Sequence, residues 1–170
     1  MEVLDAIFSR RSIRNFLPKE IPNHITEKLL EAAMYAPSAR NTQSWQFVVI
    51  NNRKILDNLA VIHPYAGMLA EATEAIVVCG DKTTENNEAY LAINCAASTQ
   101  NILLAAHAME LGSVWLGVYP KTERINAITS LLNLPQYVLP VSLIALGWPG
   151  EEKLKPERFN KDKIHYNDNW

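Results

Sequence analysis

Three short stretches of this chain carry side chains whose types and spacing could do chemistry. Residues 10–19 bring together Arg10, Arg11, Arg14 and Lys19 with no acid among them. Arginine presents a planar fork of donors that grips a phosphate bidentately, and the Ser12 hydroxyl adds another donor. The same basic residues would also relieve a helix dipole and face water, so this cluster taken alone reads either way. The second stretch runs from Pro37 through Ser38, Ala39, Arg40, Asn41, Thr42, Gln43 and Ser44 to Trp45. Its Pro, Ser and Asn make turns. Asn41 and Gln43 also combine donor and acceptor groups, as reading the edge of a heterocycle requires. The third stretch, Gly112 to Pro120, places Gly117 inside a strand pattern, which implies a bulge or the close approach of another group. Trp115 and Tyr119 there read more readily as core packing than as a cofactor face.

Other chemistries find no support. There is no G-x-G-x-x-G, no phosphate-binding G-x-x-x-x-G-K and no G-x-S-x-G. His24, His63, His107 and His165 have no metal-ligand spacing, so no metal is expected. Cys79 and Cys95 lie in apolar runs as small hydrophobes. At 170 residues the chain is one domain's worth of protein, and 48% hydrophobic content provides for a core. A formal net charge of −2 argues against a nucleic-acid partner. No apolar run approaches the roughly 18 residues of a membrane span. The opening Met1–Asp5 lacks the features of a signal peptide. A soluble, cytoplasmic protein without membrane contact is the expectation.

Helix-like and strand-like segments alternate along the chain. Val3, Leu4, Ile7 and Phe8 share one face of a short opening helix. A second helix starts at Pro22–Asn23 and closes before Pro37. Gln46–Ile50 and Ala75–Cys79 read as strands, with two short amphipathic stretches between them, broken near His63–Pro64. Glu88 to Leu111 has no Gly or Pro, is rich in alanine, and shows apolar or small residues around most of its circumference. It is expected to be buried on nearly all sides, in the core or at a subunit interface, and to end at Gly112. A strand at Ser113–Tyr119, a helix at Thr122–Leu132 and a strand at Val141–Leu146 follow. From Gly150 the pattern dissolves into a tail whose bases and acids balance, and which needs something to lie against.

Taken together and in order, these stretches resemble the nitroreductase family of flavoproteins. The resemblance rests on Arg10-Arg11-Ser12-Ile13-Arg14-Asn15-Phe16, on Ala36 to Trp45, on Gln100 to Ala106, on Trp115-Leu116-Gly117-Val118 and on Pro156-Glu157-Arg158-Phe159. It implies an α+β fold, a central and mostly antiparallel sheet flanked by helices, in an intertwined homodimer. Residues 1–170 would form a single FMN-binding domain, with 150–170 as a C-terminal arm reaching over the partner subunit. Carried over by position, Arg10, Arg11, Ser12 and Arg158 resemble the grip on the FMN phosphate and ribityl chain. Arg14 resembles the cation beside the flavin pyrimidine. Pro37, Ser38 and Asn41 would reach the FMN held by the other subunit. The backbone N–H groups of Leu116 and Gly117 would face flavin N5.

The activity so implied is that of an oxidoreductase with tightly but non-covalently bound FMN. NAD(P)H would reduce it through flavin N5 in a ping-pong cycle, and a nitroaromatic, a quinone or a similar small molecule would accept the electrons. The flavin does the redox chemistry, so no side chain is required as acid or base. An FMN-binding sensor or carrier with little turnover is the alternative, and specialised dehalogenation or flavin cleavage ranks below both. The chain departs from the family pattern at Ser44, often Pro, and at Asn94, often Asp. It also lacks any Lys or Arg between Ile55 and Asp81, which leaves Arg14 as the main cation for the ring. No lid insertion is present, so an open pocket is expected.

Overall fold

A computed structural model describes residues 1–168 and 170. Its elements are α1 (Val3–Ser9), β1 (Phe16–Leu17), α2 (Asn23–Met34), β2 (Trp45–Ile50), α3 (Arg53–Ile62), β3 (Glu74–Asp81), α4 (Glu88–Ala108), β4 (Gly112–Gly117), α5 (Thr122–Leu132) and β5 (Val138–Pro149). Short 3-10 turns lie at Ala39–Asn41, Gly67–Ala70 and Lys161–Lys163. The side chains of Asn52 and Asn87 cap α3 and α4 by accepting from the first-turn N–H groups.

The sheet is antiparallel throughout its ladders. β2 pairs with β3, and β3 with β5; β4 and the two-residue β1 share the other side of β5. Alternate residues of the central strands feed two cores. Ile76, Val78, Ile144 and Leu146 pack with Leu29, Leu91, Cys95 and Ile102 under α2 and α4. Val77, Cys79, Leu143 and Ala145 pack with Leu56, Leu59 and Ile128 under α3 and α5. Burial on both faces is why these strands are continuous apolar runs rather than alternating ones. The fold is therefore α+β, a mostly antiparallel sheet between two helical layers, as the sequence leads one to expect.

Three expectations change. β5 runs from Val138, well before Val141, because a register shift against Val78/Cys79 accommodates Pro140, which has no N–H for the ladder. α4 ends at Ala108, and the chain turns through a left-handed Glu110 (φ 64°) rather than at Gly112, which opens β4. α4 is also not buried on nearly all sides within one chain: Tyr90 and Ile93 stand 49% and 63% exposed on its outer face. Its inner face sits so close to β3 that a Cβ at Gly80 would lie 2.0 Å from Leu91 Cδ2.

Beyond β5 the tail first folds back on its own chain. The Gly150 N–H donates to Asn15 O at 2.8 Å, and Glu151 Oε1 accepts from the N–H groups of Arg14 (2.6 Å) and Asn15 (3.3 Å). Lys153 Nζ donates to Ser12 O at 2.9 Å. No helix among the described residues is long and apolar enough to cross a membrane.

One buried carboxylate gives the fold a pH signature. Glu74, at the start of β3, is 6% exposed and accepts from Thr26 Oγ1 at 3.1 Å. Burial pushes it above the usual carboxylate range, and the Thr26 hydroxyl only partly opposes this. An acid raised in the folded state costs nothing at low pH. As pH climbs past its unfolded value, the unfolded chain releases the proton and folding must retain it, so stability falls. Glu74→Gln should therefore remove a loss of thermal stability that sets in as pH rises above about 4, the unfolded carboxylate value, while leaving Tm at pH 4 nearly unchanged, checked by melting curves at rising pH.

Candidate functional site

The end of α1 delivers the first arginines into a groove. Arg10 is the C-terminal cap of α1, its N–H bonded to Ala6 O. Arg10, Arg11, Lys155 and Arg158 line a cleft of roughly 950 Å³ with Ile7, Phe8, Pro156 and Phe159. Glu157 lines it as well, yet among the described residues no carboxylate comes within ion-pair distance of Arg10, Arg11 or Arg158. Arg10 is half-buried, and burial, then Arg11, then Arg158 press its guanidinium below the ordinary value. Such a group of like charges, unrelieved by an acid, is a receptor for an anion.

The arginines are not equivalent. Three nitrogens of Arg11 already donate to backbone: Nε to Leu154 O at 3.1 Å, Nη2 to Phe8 O at 2.7 Å, and Nη1 to Arg10 O. Arg11 therefore staples the tail to α1 while lending its charge, and Arg10 and Arg158 keep their forks for a ligand. His107, near the end of α4, completes the support. Its Nε2 lies 2.7 Å from Ser9 Oγ, which itself donates to Asp5 O, so the imidazole Nε2–H is the donor. Burial, then Arg10 and Arg11, hold His107 below the usual imidazole value. A neutral His107 ties α1 to α4 without adding a further charge.

Ser12 lies beside this cluster and forms a bridge to Ser113, with Ile13 N–H donating to Ser113 O at 3.0 Å. That contact shows which way β4 faces. Ser113, Trp115 and Gly117 turn their backbone groups away from β5, while Val114 and Leu116 turn theirs into the ladder. Of the Leu116–Gly117 pair, only Gly117 therefore presents its N–H at the free edge. β4 pairs with β5 without a register break there, and a Cβ at Gly117 would meet nothing within 4 Å, so among the described residues no group crowds the side-chain position of Gly117. Trp115 is exposed rather than packed, and Tyr119 is half-buried against the α2–α4 core. Arg14 is exposed, held through its backbone by Glu151.

Pro37, Ser38 and Asn41 belong to a second, separate assembly. Their loop carries three left-handed non-glycine residues, Arg40 (φ 54°), Asn41 (55°) and Gln43 (48°). Such backbone persists only where its surroundings over-determine it, and it concentrates at binding sites. Here Asn94, 2% exposed on α4, does most of the holding. Its Oδ1 accepts from Ala39 N–H at 2.9 Å, and its Nδ2 donates to Thr42 Oγ1 and Ser44 Oγ, each at 3.2 Å. Arg40 adds an ion pair to the buried Glu85 at 2.6 Å; that hydrogen bond, with another from Asn87 N–H, holds Glu85 below the usual carboxylate range. The departures at Ser44 and Asn94 are thus one feature: an amide donor on α4 requires an acceptor at residue 44.

About 20 Å of helix separates Asn94 from His107, so the strained loop and the arginine groove sit at opposite parts of α4. Several contributors carried little sequence signal: Lys155 is one base in a balanced tail, and His63 lacks any ligand spacing. Arg124 did carry one. It has no acid three or four residues away on α5, unlike Lys28 with Glu31 and Arg53 with Asp57.

Comparison with known proteins gives a consistent match. The model of the family described as "Nitroreductase family" matches residues 7–62 and 60–148. A Methanothermobacter thermautotrophicus protein named "Putative NADH dehydrogenase/NAD(P)H nitroreductase" is 42% identical over 165 residues, spanning 97% of this chain and 86% of its own. A crystal structure of that same name from Parabacteroides distasonis superposes with TM-score 0.94 at 38% identity, covering 99% of this chain and 98% of the other. A Desulfovibrio desulfuricans structure, described as a "putative nitroreductase in complex with fmn", superposes with TM-score 0.85 at 32% identity, covering 98% and 97%.

The loop geometry is directly testable. Asn94→Leu strands the Ala39 N–H and two hydroxyls, and should cost about 1–3 kcal/mol while speeding amide exchange at residues 39–44. Asn94→Asp should cost less, because the Thr42 and Ser44 hydroxyls can rotate to donate. Denaturant titration with hydrogen exchange checks both.

Proposed function

We propose, from the premise that this chain belongs to the nitroreductase family, that it is an FMN-dependent NAD(P)H oxidoreductase. The observation that carries the reading is the groove of Arg10, Arg11 and Arg158, a cation set with no carboxylate partner among the described residues. Its chemistry fits a terminal phosphate: the guanidinium forks of Arg10 and Arg158, with Lys155 in the same lining; Ser12 follows Arg11 in the chain but is not among the lining residues. The Desulfovibrio relative holding FMN and a Bacillus subtilis relative named "FMN reductase (NADPH)" support the choice of FMN. When bound, FMN supplies two-electron transfer from NAD(P)H to a nitroaromatic, quinone or similar acceptor in a ping-pong cycle.

The protein's share is to bind and to orient. Arg10 and Arg158 hold the phosphate, and Arg11 fixes both the tail and α1 around it. Gly117 offers an N–H at the open edge of β4 with no side chain in the way. Arg14 is exposed beside the same segment and supplies positive charge for the pyrimidine end. Pro37, Ser38 and Asn41 lie too far along α4 to serve the same FMN, so they serve the one bound chiefly by the partner.

That arrangement requires a homodimer, and the surface supports one. Val3 and Leu4 are 71% and 62% exposed, Ile7 and Phe8 are exposed beside them, and Ile93 faces outward from α4. Exposed apolar side chains of this kind on two helices mark an interface. The tail beyond Phe159, with Tyr166 exposed, is the arm that crosses to the partner.

The purified protein should be yellow and should bleach anaerobically with NADH or NADPH. Protein that binds FMN but is reduced by neither nucleotide would instead be a flavin carrier or sensor. Arg158→Ala should weaken FMN binding at least tenfold in a fluorescence titration, since a charge-assisted bidentate contact is lost. Arg14→Ala should lower the rate of flavin reduction more than FMN affinity, measured by stopped-flow absorbance.

A further inference from the structure

The expected shortage of positive charge near the flavin ring is met by a residue outside every motif of the family resemblance. Arg124, in the first turn of α5, donates from Nη1 to the Gly117 carbonyl at 2.7 Å. His63, 1% exposed at the end of α3, donates to the same oxygen from Nε2 at 2.9 Å. Its Nδ1 accepts from the Tyr65 N–H at 3.2 Å, which leaves the proton on Nε2 and the ring neutral. Both lone pairs of the Gly117 carbonyl are then engaged. In an extended residue the N–H and C=O point to the same side, so clamping the carbonyl also aims the Gly117 N–H.

The Arg124 side chain is held in other ways too. Its guanidinium lies 5.4 Å from the centroid of the exposed Tyr65 ring. Nε is buried with no hydrogen-bond partner, and among the described residues no carboxylate lies within ion-pair distance. A half-satisfied, uncompensated cation is costly to keep. Its position beside Gly117, at a free edge of the sheet where a Cβ would meet nothing within 4 Å, indicates what compensates it.

We propose that Arg124 is the fixed cation of the flavin edge: clamped on the Gly117 carbonyl and over Tyr65, it aims the Gly117 N–H and stabilises the charge that reduction places on the bound ring. This rests on the reading that Gly117 faces FMN. Reduction of FMN by NAD(P)H adds two electrons and one proton, so the ring system gains one negative charge. A cation held there by the fold, with no carboxylate beside it, stabilises the reduced form more than the oxidised one. Arg124 then does for the ring what a lysine between residues 55 and 81 would otherwise do. It is a positioning and charge-bearing residue, not an acid or base.

The test compares FMN-loaded full-length protein with Arg124→Gln, whose amide can still donate to Gly117 but carries no charge, and with Arg124→Lys. The readout is the ratio of dissociation constants for oxidised and reduced FMN, obtained from the midpoint potential by dye equilibration. Arg124→Gln should bind oxidised FMN within about threefold of wild type but lose at least tenfold in its preference for reduced FMN. Tenfold corresponds to about 30 mV for a two-electron couple. Arg124→Lys should recover most of that loss. An unchanged preference in Arg124→Gln, with oxidised FMN still bound, overturns the proposal and leaves the FMN reading intact. Loss of oxidised FMN from the Gln variant makes Arg124 a structural residue and likewise overturns it. If the Gln variant does not fold, the Lys variant decides: a preference within threefold of wild type supports the proposal, and a tenfold loss overturns it. Wild-type protein that binds no FMN would remove the reading beneath it.

Discussion

The arrangement depends on holding like charges together without an acid to relieve them. Arg10, Arg11 and Arg158 lie close enough for the latter two to depress the guanidinium of the first. The structure bears that repulsion by means that leave the charge available. Arg11 donates to three carbonyls, which take its hydrogen bonds but not its charge. His107 anchors α1 to α4 as a neutral ring. Glu151, in the tail, takes two backbone N–H groups and Lys153 rather than an arginine of the groove. Each choice preserves an unbalanced positive site, which is what an anionic ligand needs and an isolated fold does not.

The sheet and α4 set the distances around that site. β4 is held by β5 on one side and by Ser12–Ile13 on the other, so its free edge narrows to the end that holds Gly117. There His63 and Arg124 converge on one carbonyl from two different helices. α4 carries the strained loop near one end through Asn94 and the arginine groove near the other through His107. Its outer face, with Tyr90 and Ile93 exposed, and the apolar face of α1 remain uncovered within one chain.

Much of the fold was legible because its signals are local. Asn and Pro mark the start of α2, alanine without Gly or Pro marks α4, and α5 falls at Thr122–Leu132 as read. Boundaries moved where a non-local contact intervened. Pro140 sits inside β5 because a bulge opposite Cys79 absorbs it, and Glu110 takes the left-handed turn expected of Gly112. The groove was half legible: Arg10, Arg11 and Arg158 do meet, but nothing in a list of residues indicates that Arg11 spends its donors on Leu154, Phe8 and Arg10. Asn94 and Ser44 could be seen as departures, yet that they form one hydrogen-bonded unit follows only from packing α4 under the loop.

By itself the sequence determined the alternation of helices and strands, the clustering of Arg10 and Arg11, and a long helix whose apolar residues extend around most of its circumference. These follow from residue type and spacing, which act over a few residues at a time. The tertiary structure decided which donors stay free, which of Leu116 and Gly117 faces outward, and that Asn94, which holds the loop at 37–44, and His107, which supports the groove at residue 10, stand about 20 Å apart along α4. It also brought Arg124 to Gly117. Those outcomes depend on the direction of a strand edge and the length of α4, quantities that exist only once distant segments have packed together.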